Sequence, residues 1–596
     1  MRLGWTKNKN STTYRALKTV RIDGRNKTLL IKTFGSDRFI CQTYGVTDAK
    51  AWAKEEVQKM NRAELDGSPS FSFELDSSAD LVMDQQHCFN GGYLFLQDIY
   101  YELGLDKICM AVKARHGFEY NLNAIVSRLI YTRILFPSSK LNAFKDSQRF
   151  IEPPDFELHQ IYRSLSVLAQ EADYIQSRLF KNSLMIAKRR TEVIYYDCTN
   201  FYFEIEEAED DKQFGVSKEN RPLPIVEMGL FMDRDGIPLA FCMNPGNENE
   251  QQSLIPLENK LMDKFDMSQF IVCTDAGLSS NTNRVFNDYS GERGMRAFIT
   301  TQSVKKLKKT YKDWALSPEG WHCFGETSSK PINLETLDED NDLEKTYYKS
   351  RWIKETSEVT IDGIKKKVGL EQQLIVTYSI KYRNYLRQIR NRQVERALKT
   401  VENGKNTVEK KKQNDPKRFI KADHATKDGE VADKTVYYID EAAIAQEAMY
   451  DGFYAVCTNL SDAPESIVQI NQRRWEIEEC FRIMKTEFQA RPVYVKRKER
   501  ITAHFITCFI ALIVYRYLEK KLNNRYTCSQ ILSTLQEMNF TKYEGKGYQP
   551  TYTRTELTDA LHEAFGFCTS KQIVPIKQMK KICADTKKKE SVTCNA

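Results

Sequence analysis

Two runs, "VIYYDCTNF" at 193–201 and "FIVCTDAGL" at 270–278, each set an aspartate among β-branched and aromatic residues. Such residues favour a buried central strand. A lone carboxylate there is costly unless it pairs, caps a turn or binds a cation. Asp275 precedes Ala276-Gly277, where a strand would run into a turn, and the carboxyl edge of an open sheet is where ligands collect. Capping of the following turn is the ordinary alternative for Asp197 or Asp275 taken alone. Strands of this kind alternating with helical segments read as an α/β chain.

A chain of 596 residues exceeds one hydrophobic core and divides into three or four domains or subdomains. With 41% hydrophobic and 29% charged residues it has the composition of a globular protein and is not a disordered one. The formal charge of +8 permits a nucleic-acid partner without requiring one. Fourteen cysteines lie singly, with no C-x-x-C. That spacing argues against zinc and disulfide frameworks and for reduced thiols in a cytoplasmic compartment. "MRLGWTKNKN" lacks the apolar core of a secretory signal. "HFITCFIALIV" at 504–514 is too short to span a bilayer and reads as a buried helix, so no membrane is implied. No G-x-x-x-x-G-K-[ST] loop is present, so ATP is not implied.

Six segments follow. Residues 1–66 read as a small β-hairpin and helix domain, with a turn at Asp23-Gly24 and Thr47 capping a helix at 47–65. Residues 66–78 read as a linker, and 79–190 as a helical region. Residues 191–301 and 451–525 carry the strands of a core, including a hairpin turning near Asp235-Gly236. Between them, 302–450 is too long for a loop and reads as an inserted, β-rich or mixed subdomain. Residues 526–596 form a C-terminal helical region and tail, frayed from "KKICADTKKK" onwards. Trp321 and Trp352 in the insertion could stack on a flipped base, but packing is the better reading.

"RRWEIEECFRIMKTEF" at 473–488 reads as one amphipathic helix. Ile477, Phe481, Met484 and Phe488 form its apolar stripe; Arg474, Glu478, Arg482 and Lys485 form a charged row within roughly 80° of one another. Glu478 is held at the edge of the packed face, whereas Glu476 and Glu479 point to solvent. In isolation the row is an Arg474–Glu478–Arg482 ion-pair ladder. With Asp197 and Asp275 it can instead supply a third oxygen ligand to divalent metal, Mg²⁺ or Mn²⁺, in a two-ion phosphoryl-transfer site. Arg474, Arg482 and Lys485 would then contact DNA phosphates.

The ordered set resembles the DDE transposases of bacterial insertion sequences, in particular the insertion-sequence-four-like branch with a Tyr-Arg-Glu-Lys signature. Arg474, Glu478 and Lys485 have that signature's spacing, and Asn471 stands at its Tyr position. "RILFPSSKL" at 133–141, "FGVSKENRP" at 214–222, "PGNENEQQSL" at 245–254 and "YAVCTNL" at 454–460 resemble further landmarks, as does the hairpin ending in "KTFG". The resemblance implies a ribonuclease-H-like catalytic core over 191–301 and 451–525 with a β-rich insertion, preceded by a mainly helical DNA-binding region at 79–190. It implies Asp197, Asp275 and Glu478 as catalytic metal ligands for two Mg²⁺ or Mn²⁺ ions. Arg474 and Lys485 are its DNA contacts, and Arg482 follows by helical position. The activity implied is cut-and-paste transposition of an element with terminal inverted repeats, by a homodimer acting on nucleoid DNA in a bacterial cytoplasm. An inactive DNA-binding remnant or repressor, and a nuclease without joining activity, share the same residues.

Overall fold

The computed structural model describes residues 1–8, 11–22, 25–66, 78, 80, 82–292, 294–326, 330–361, 364–403, 415–425 and 431–588. They fall into two compact units, Met1–Gln85 and Gln86–Ala596.

In the first unit, β1 (Arg2–Lys7), β2 (Thr12–Ile22) and β3 (Arg25–Ser36) form an antiparallel sheet in that order. Helices α1 (Asp37–Tyr44) and α2 (Ala49–Asp66) complete it. Tyr14, Ala16 and Phe34 from the strands bury against Ile40, Ala53 and Val57. The turn expected at Asp23-Gly24 lies outside the described residues, as does most of the expected linker. The cap of α2 is Asp48 and not Thr47: its carboxylate accepts from the amides of Lys50 at 2.9 Å and Ala51 at 3.0 Å. Asp48 stands one residue nearer the unbonded first-turn N–H groups, so its short carboxylate reaches them.

The second unit opens with β4 (Cys88–Asn90) and six helices: α3 (Tyr93–Glu102), α4 (Leu105–His116), α5 (Leu122–Leu135), α6 (Lys140–Ser147), α7 (Leu158–Gln170) and α8 (Ala172–Ile186). The sheet then begins with β5 (Val193–Tyr202), β6 (Ile225–Asp233) and β7 (Pro238–Pro245). Gly236 makes the turn between β6 and β7 at φ +76°, a conformation that costs glycine little. Helix α9 (Leu254–Phe265) leads to β8 (Gln269–Thr274), and α10 (Asn281–Phe286) and β9 (Tyr289–Gly291) lead to β10 (Gly294–Gln302).

The long insertion contributes α11 (Lys309–Leu316), β11 (His322–Cys323), the hairpin β12 (Tyr347–Ile361) and β13 (Ile364–Tyr378), and α12 (Ile380–Glu402). It ends with β14 (Ile420–Ala425), β15 (Val431–Ile439) and α13 (Glu441–Ala448). The chain returns to the sheet in β16 (Phe453–Thr458), followed by α14 (Pro464–Gln472), α15 (Trp475–Arg482) and α16 (Lys498–Lys521). Last come α17 (Cys528–Glu537), β17 (Asn539–Tyr543), β18 (Gly547–Pro550), α18 (Glu556–Phe565), β19 (Val574–Pro575) and α19 (Ile576–Asp585).

The result is a mixed α/β fold around one large sheet ordered β11-β12-β13-β16-β10-β8-β5-β6-β7, with β9 beside β10. Strands β5, β8 and β10 run parallel; the other neighbours are antiparallel. Every residue of β6, and all but one of β5, is buried, because apolar layers cover both faces. The insertion's main hairpin extends this same sheet, since β13 pairs with β16; β14 and β15 pair separately. Trp321 is fully buried against Tyr378 and Phe453 and donates to the Ser317 carbonyl at 2.9 Å, so it packs; Trp352 is exposed.

Helix α16 spans 24 residues, more than the apolar run at its centre, and is long and apolar enough by length and composition to cross a membrane. Its apolar 18-residue stretch is instead 89% buried, and the helix packs against α3, α5, α7 and β7. The tail is also more ordered than expected: α19 carries it to Asp585 by burying Met579, Ile582 and Cys583, and 589–596 lie outside the described residues.

Candidate active site

Strands β5 and β8 pair in parallel with Tyr196 opposite Thr274. The next residue of each is therefore Asp197 or Asp275, and the two acids emerge side by side near the centre of the sheet. Helix α15 packs on β5, anchored by Ile477 and Phe481, while Met484 and Phe488 beyond it are fully buried. The expected apolar stripe is the packed face. This seating brings Arg474, at the start of α15, between the acids. Its guanidinium lies 3.3 Å from Asp275 Oδ1 and 3.7 Å from Glu478 Oε1. It also lies near enough to Asp197 to act on its charge. Side-chain exposure rises from 15% at Arg474 to 44% at Asp275 and 62% at Glu478, so the group opens towards solvent at the helix side.

The neighbouring acids differ from expectation. Glu476 does not point to solvent: its side chain is only 16% exposed and lies 3.3 Å from Arg516 of α16. Glu478 is the open one. The reason is that Arg516 of α16 reaches α15, so the side that looks polar in the sequence meets an arginine. A Cβ on Gly236 would fall 2.1 Å from Arg516 and 2.3 Å from Glu476, so that pair also depends on a bare glycine. Glu479 does not point to solvent either. It and Glu487 hold Arg482, at 2.6 and 3.0 Å. The ladder thus stops at Arg474–Glu478, and Arg482 is not gathered with the other candidate residues.

Beyond Arg482 the helix widens into a π-turn over Ile483–Glu487, a distortion frequent at functional sites. It directs Lys485 at β5, where Nζ donates to Thr199 Oγ1 at 2.6 Å. Burial and the nearby Lys218 push the Lys485 ammonium down to about 8, against the pull of Asp197. Lys218 donates to the Cys198 carbonyl and lies 3.1 Å from Glu250. Burial works against its charge, but Asp197 and Glu250 outweigh burial and hold it above lysine's ordinary value. Burial pushes Asp197 up to about 6, with Asp275 adding to the rise and Lys218, the Cys198 amide and Arg474 opposing it.

Asn471 is buried beneath this group. Its amide donates to Tyr454 Oη at 2.6 Å, its oxygen accepts from Cys273 Sγ at 3.6 Å, and Thr301 lies 3.4 Å away. Tyr454 thereby stands close enough to Arg474 and Asp275 for their charges to act on it. Asn471→Leu, which would take the acceptor from Cys273 Sγ and leave Tyr454 Oη and Thr301 Oγ1 only their mutual 2.8 Å hydrogen bond, should cost about 1–3 kcal/mol. A matching fall in thermal midpoint checks it, and an unchanged midpoint would exclude the network as a support.

Lys218, Thr199 and Tyr454 were not singled out by the sequence. All three do lie in stretches quoted above, "FGVSKENRP", "VIYYDCTNF" and "YAVCTNL". As they stand, no three His, Cys, Asp or Glu side chains among the described residues are close enough to hold one metal ion. The donor chemistry nevertheless suits a hard divalent cation: three carboxylates, one with its charge disfavoured by burial and a neighbouring carboxylate.

Residues 359–514 match the family model described as the transposase DDE domain. The match supports a DDE transposase. It covers Asn471, Arg474, Glu478 and Lys485 and leaves Asp197 and Asp275 outside. No curated protein matches the chain. Among solved structures, the piggyBac transposase synaptic complex with hairpin DNA is 8% identical over 75% of this chain and 78% of that one, with a TM-score of 0.34. The Mos1 transposase paired-end complex with the left transposon end is 12% identical over 41% of this chain and 66% of that one, with a TM-score of 0.12. Both scores are too low for either likeness to bear on the fold.

Proposed function

We propose that this chain is a DDE transposase of the insertion-sequence-four-like branch, cutting DNA at the terminal inverted repeats of its element and joining the freed 3′ ends to target DNA. One observation carries the proposal: three acids from distant parts of the chain, Asp197, Asp275 and Glu478, gather around Arg474 beside the central strands β5 and β8. The strand order β7-β6-β5-β8-β10, antiparallel through the first three and parallel beyond, supports a ribonuclease-H-like core.

Asp197, Asp275 and Glu478 would hold two Mg²⁺ or Mn²⁺ ions, which supply activation of the attacking oxygen and stabilisation of the leaving one. The remaining work belongs to the protein. Arg474 orients Asp275 and Glu478 and neutralises their mutual repulsion while the site is empty of substrate. Lys218 and Lys485 place positive charge beside Asp197, where a scissile phosphate would need it. Two identical element ends call for a homodimer.

The test is incubation of the purified protein and Mg²⁺ with plasmid carrying the DNA that flanks its gene. Nicking at short inverted repeats, followed by strand joining, is expected. Cleavage without joining would reduce the activity to a nuclease. Binding without nicking in either Mg²⁺ or Mn²⁺ would leave a DNA-binding remnant, a reading favoured by Arg474 occupying the space between the acids. No binding at all would overturn the proposal.

A further inference from the structure

Away from the acids, a cavity of about 60 Å³ lies between the start of α6 and residues 489–495. This is several times the ~15 Å³ that one water requires. Arg133, Lys140, Arg491 and His504 line it together with Ser139, and no carboxylate does. Lys140 is 95% buried by its 5% exposure and reaches the cavity without a hydrogen-bond or ion-pair partner among the described residues. Arg133 is equally buried. It ties the carbonyls of Phe488 and Ser138 together, both at 3.0 Å, and its Nε has no partner. His504 faces the Ala490 carbonyl at 3.0 Å, so its Nε2 carries the proton. Burial, with Arg133 and Lys140 beside it, keeps its ring neutral. The amino end of α6, where Ser139 caps the Asn142 amide at 3.2 Å, adds a partial positive charge.

Two buried basic groups facing each other without an acid are costly to charge, and burial, with Arg133 beside it, pushes the Lys140 ammonium down to about 7. An anion in the cavity would relieve that cost. Free phosphate and a phosphate of a polymer share the needed chemistry, and the surroundings favour the polymer. "RPVYVKRKER" at 491–500 continues from the cavity with five cations and one acid. Arg491 lies against Glu219, which is 3.6 Å from Lys485, so a charged path joins the cavity to the acid group.

We propose that this cavity seats one phosphate of the DNA backbone, with Lys140 as its charged contact. The site rests on the DNA-acting reading above and lies outside the three-acid group. Binding of a short labelled duplex, followed by fluorescence anisotropy across a salt series, tests it in full-length wild type, Lys140→Gln and Lys140→Arg. In Lys140→Gln the salt slope should fall by about 0.9 and affinity by about tenfold near 0.1 M salt, with Lys140→Arg close to wild type. The thermal midpoint of Lys140→Gln should be equal to or above wild type, because an unpaired buried ammonium is gone; should it fall, Lys140→Met, which keeps the stem's packing, gives the slope instead.

An unchanged slope and affinity in Lys140→Gln, with wild type binding DNA, overturns this site alone. A wild type without affinity for DNA overturns the parent reading and this one with it. Stabilisation by inorganic phosphate, at fixed ionic strength, in wild type but not Lys140→Gln, with the DNA slope unchanged, assigns the cavity to free phosphate and overturns the backbone contact.

Discussion

Asp197→Asn, Asp275→Asn and Glu478→Gln should each reduce DNA nicking on the order of 10³-fold or more while DNA binding persists. Each amide keeps the shape of its acid and removes the charge that a divalent cation needs. The cations Lys218, Arg474 and Lys485 remain, so affinity for DNA should be kept. For Asp197 the stability readout separates lost chemistry from lost folding. Burial has raised its pKa to about 6, so its contribution to stability is full below the unfolded carboxylate range and is lost as pH rises through about 6. Above that pH the ionised side chain is a net burden, and Asp197→Asn should melt no earlier than wild type at pH 7.5. Undiminished nicking by any one variant would remove that acid from the site. An inactive Asp197→Asn that melts much earlier would assign the loss to the fold.

The second large effect concerns Glu258 of α9, which is fully buried. One of its oxygens accepts from Asn287 Nδ2 at 2.9 Å; the other is buried with no partner. Burial pushes the carboxyl up to about 8, against Asn287 and the charge of Arg296. The sign follows. The folded protein holds this proton more tightly than the unfolded chain, so the stabilising contribution is complete below about pH 4 and disappears as pH rises through about 8. Glu258→Gln should therefore gain ~2–3 kcal/mol at pH 9 and little at pH 5. Urea denaturation midpoints at the two pH values measure it. Equal shifts at both, or a loss at pH 9, would show that the ionised carboxylate is accommodated.

How far the sequence carried can be traced residue by residue. Asp197 and Asp275 were legible because each interrupts an apolar strand, and parallel pairing then sets them side by side. Glu478 was legible from spacing, but its surroundings were not. A helical wheel gives angles around one axis and says nothing of Arg516, which comes from α16 and turns Glu476 inward. The π-turn was equally hidden, since nothing in Ile483–Glu487 departs from ordinary helical composition. The insertion looked like a separate body because its charge-rich stretches resemble linkers; its hairpin was absorbed into the main sheet through β13 and β16, a pairing between residues far apart in sequence. Lys140 lies in the quoted stretch "RILFPSSKL", but nothing there signalled its burial, which is decided by elements distant in the chain.

The position of α16 sets the order in which this protein can be made. Its buried face is what α3, α5 and α7 pack upon, yet it leaves the ribosome about four hundred residues after α3 (498 − 93 = 405). Until then those earlier helices expose a greasy groove with nothing to fill it. Newborn chains should accordingly lean on chaperones throughout elongation, and any message truncated upstream of this helix should yield insoluble fragments instead of a smaller folded protein.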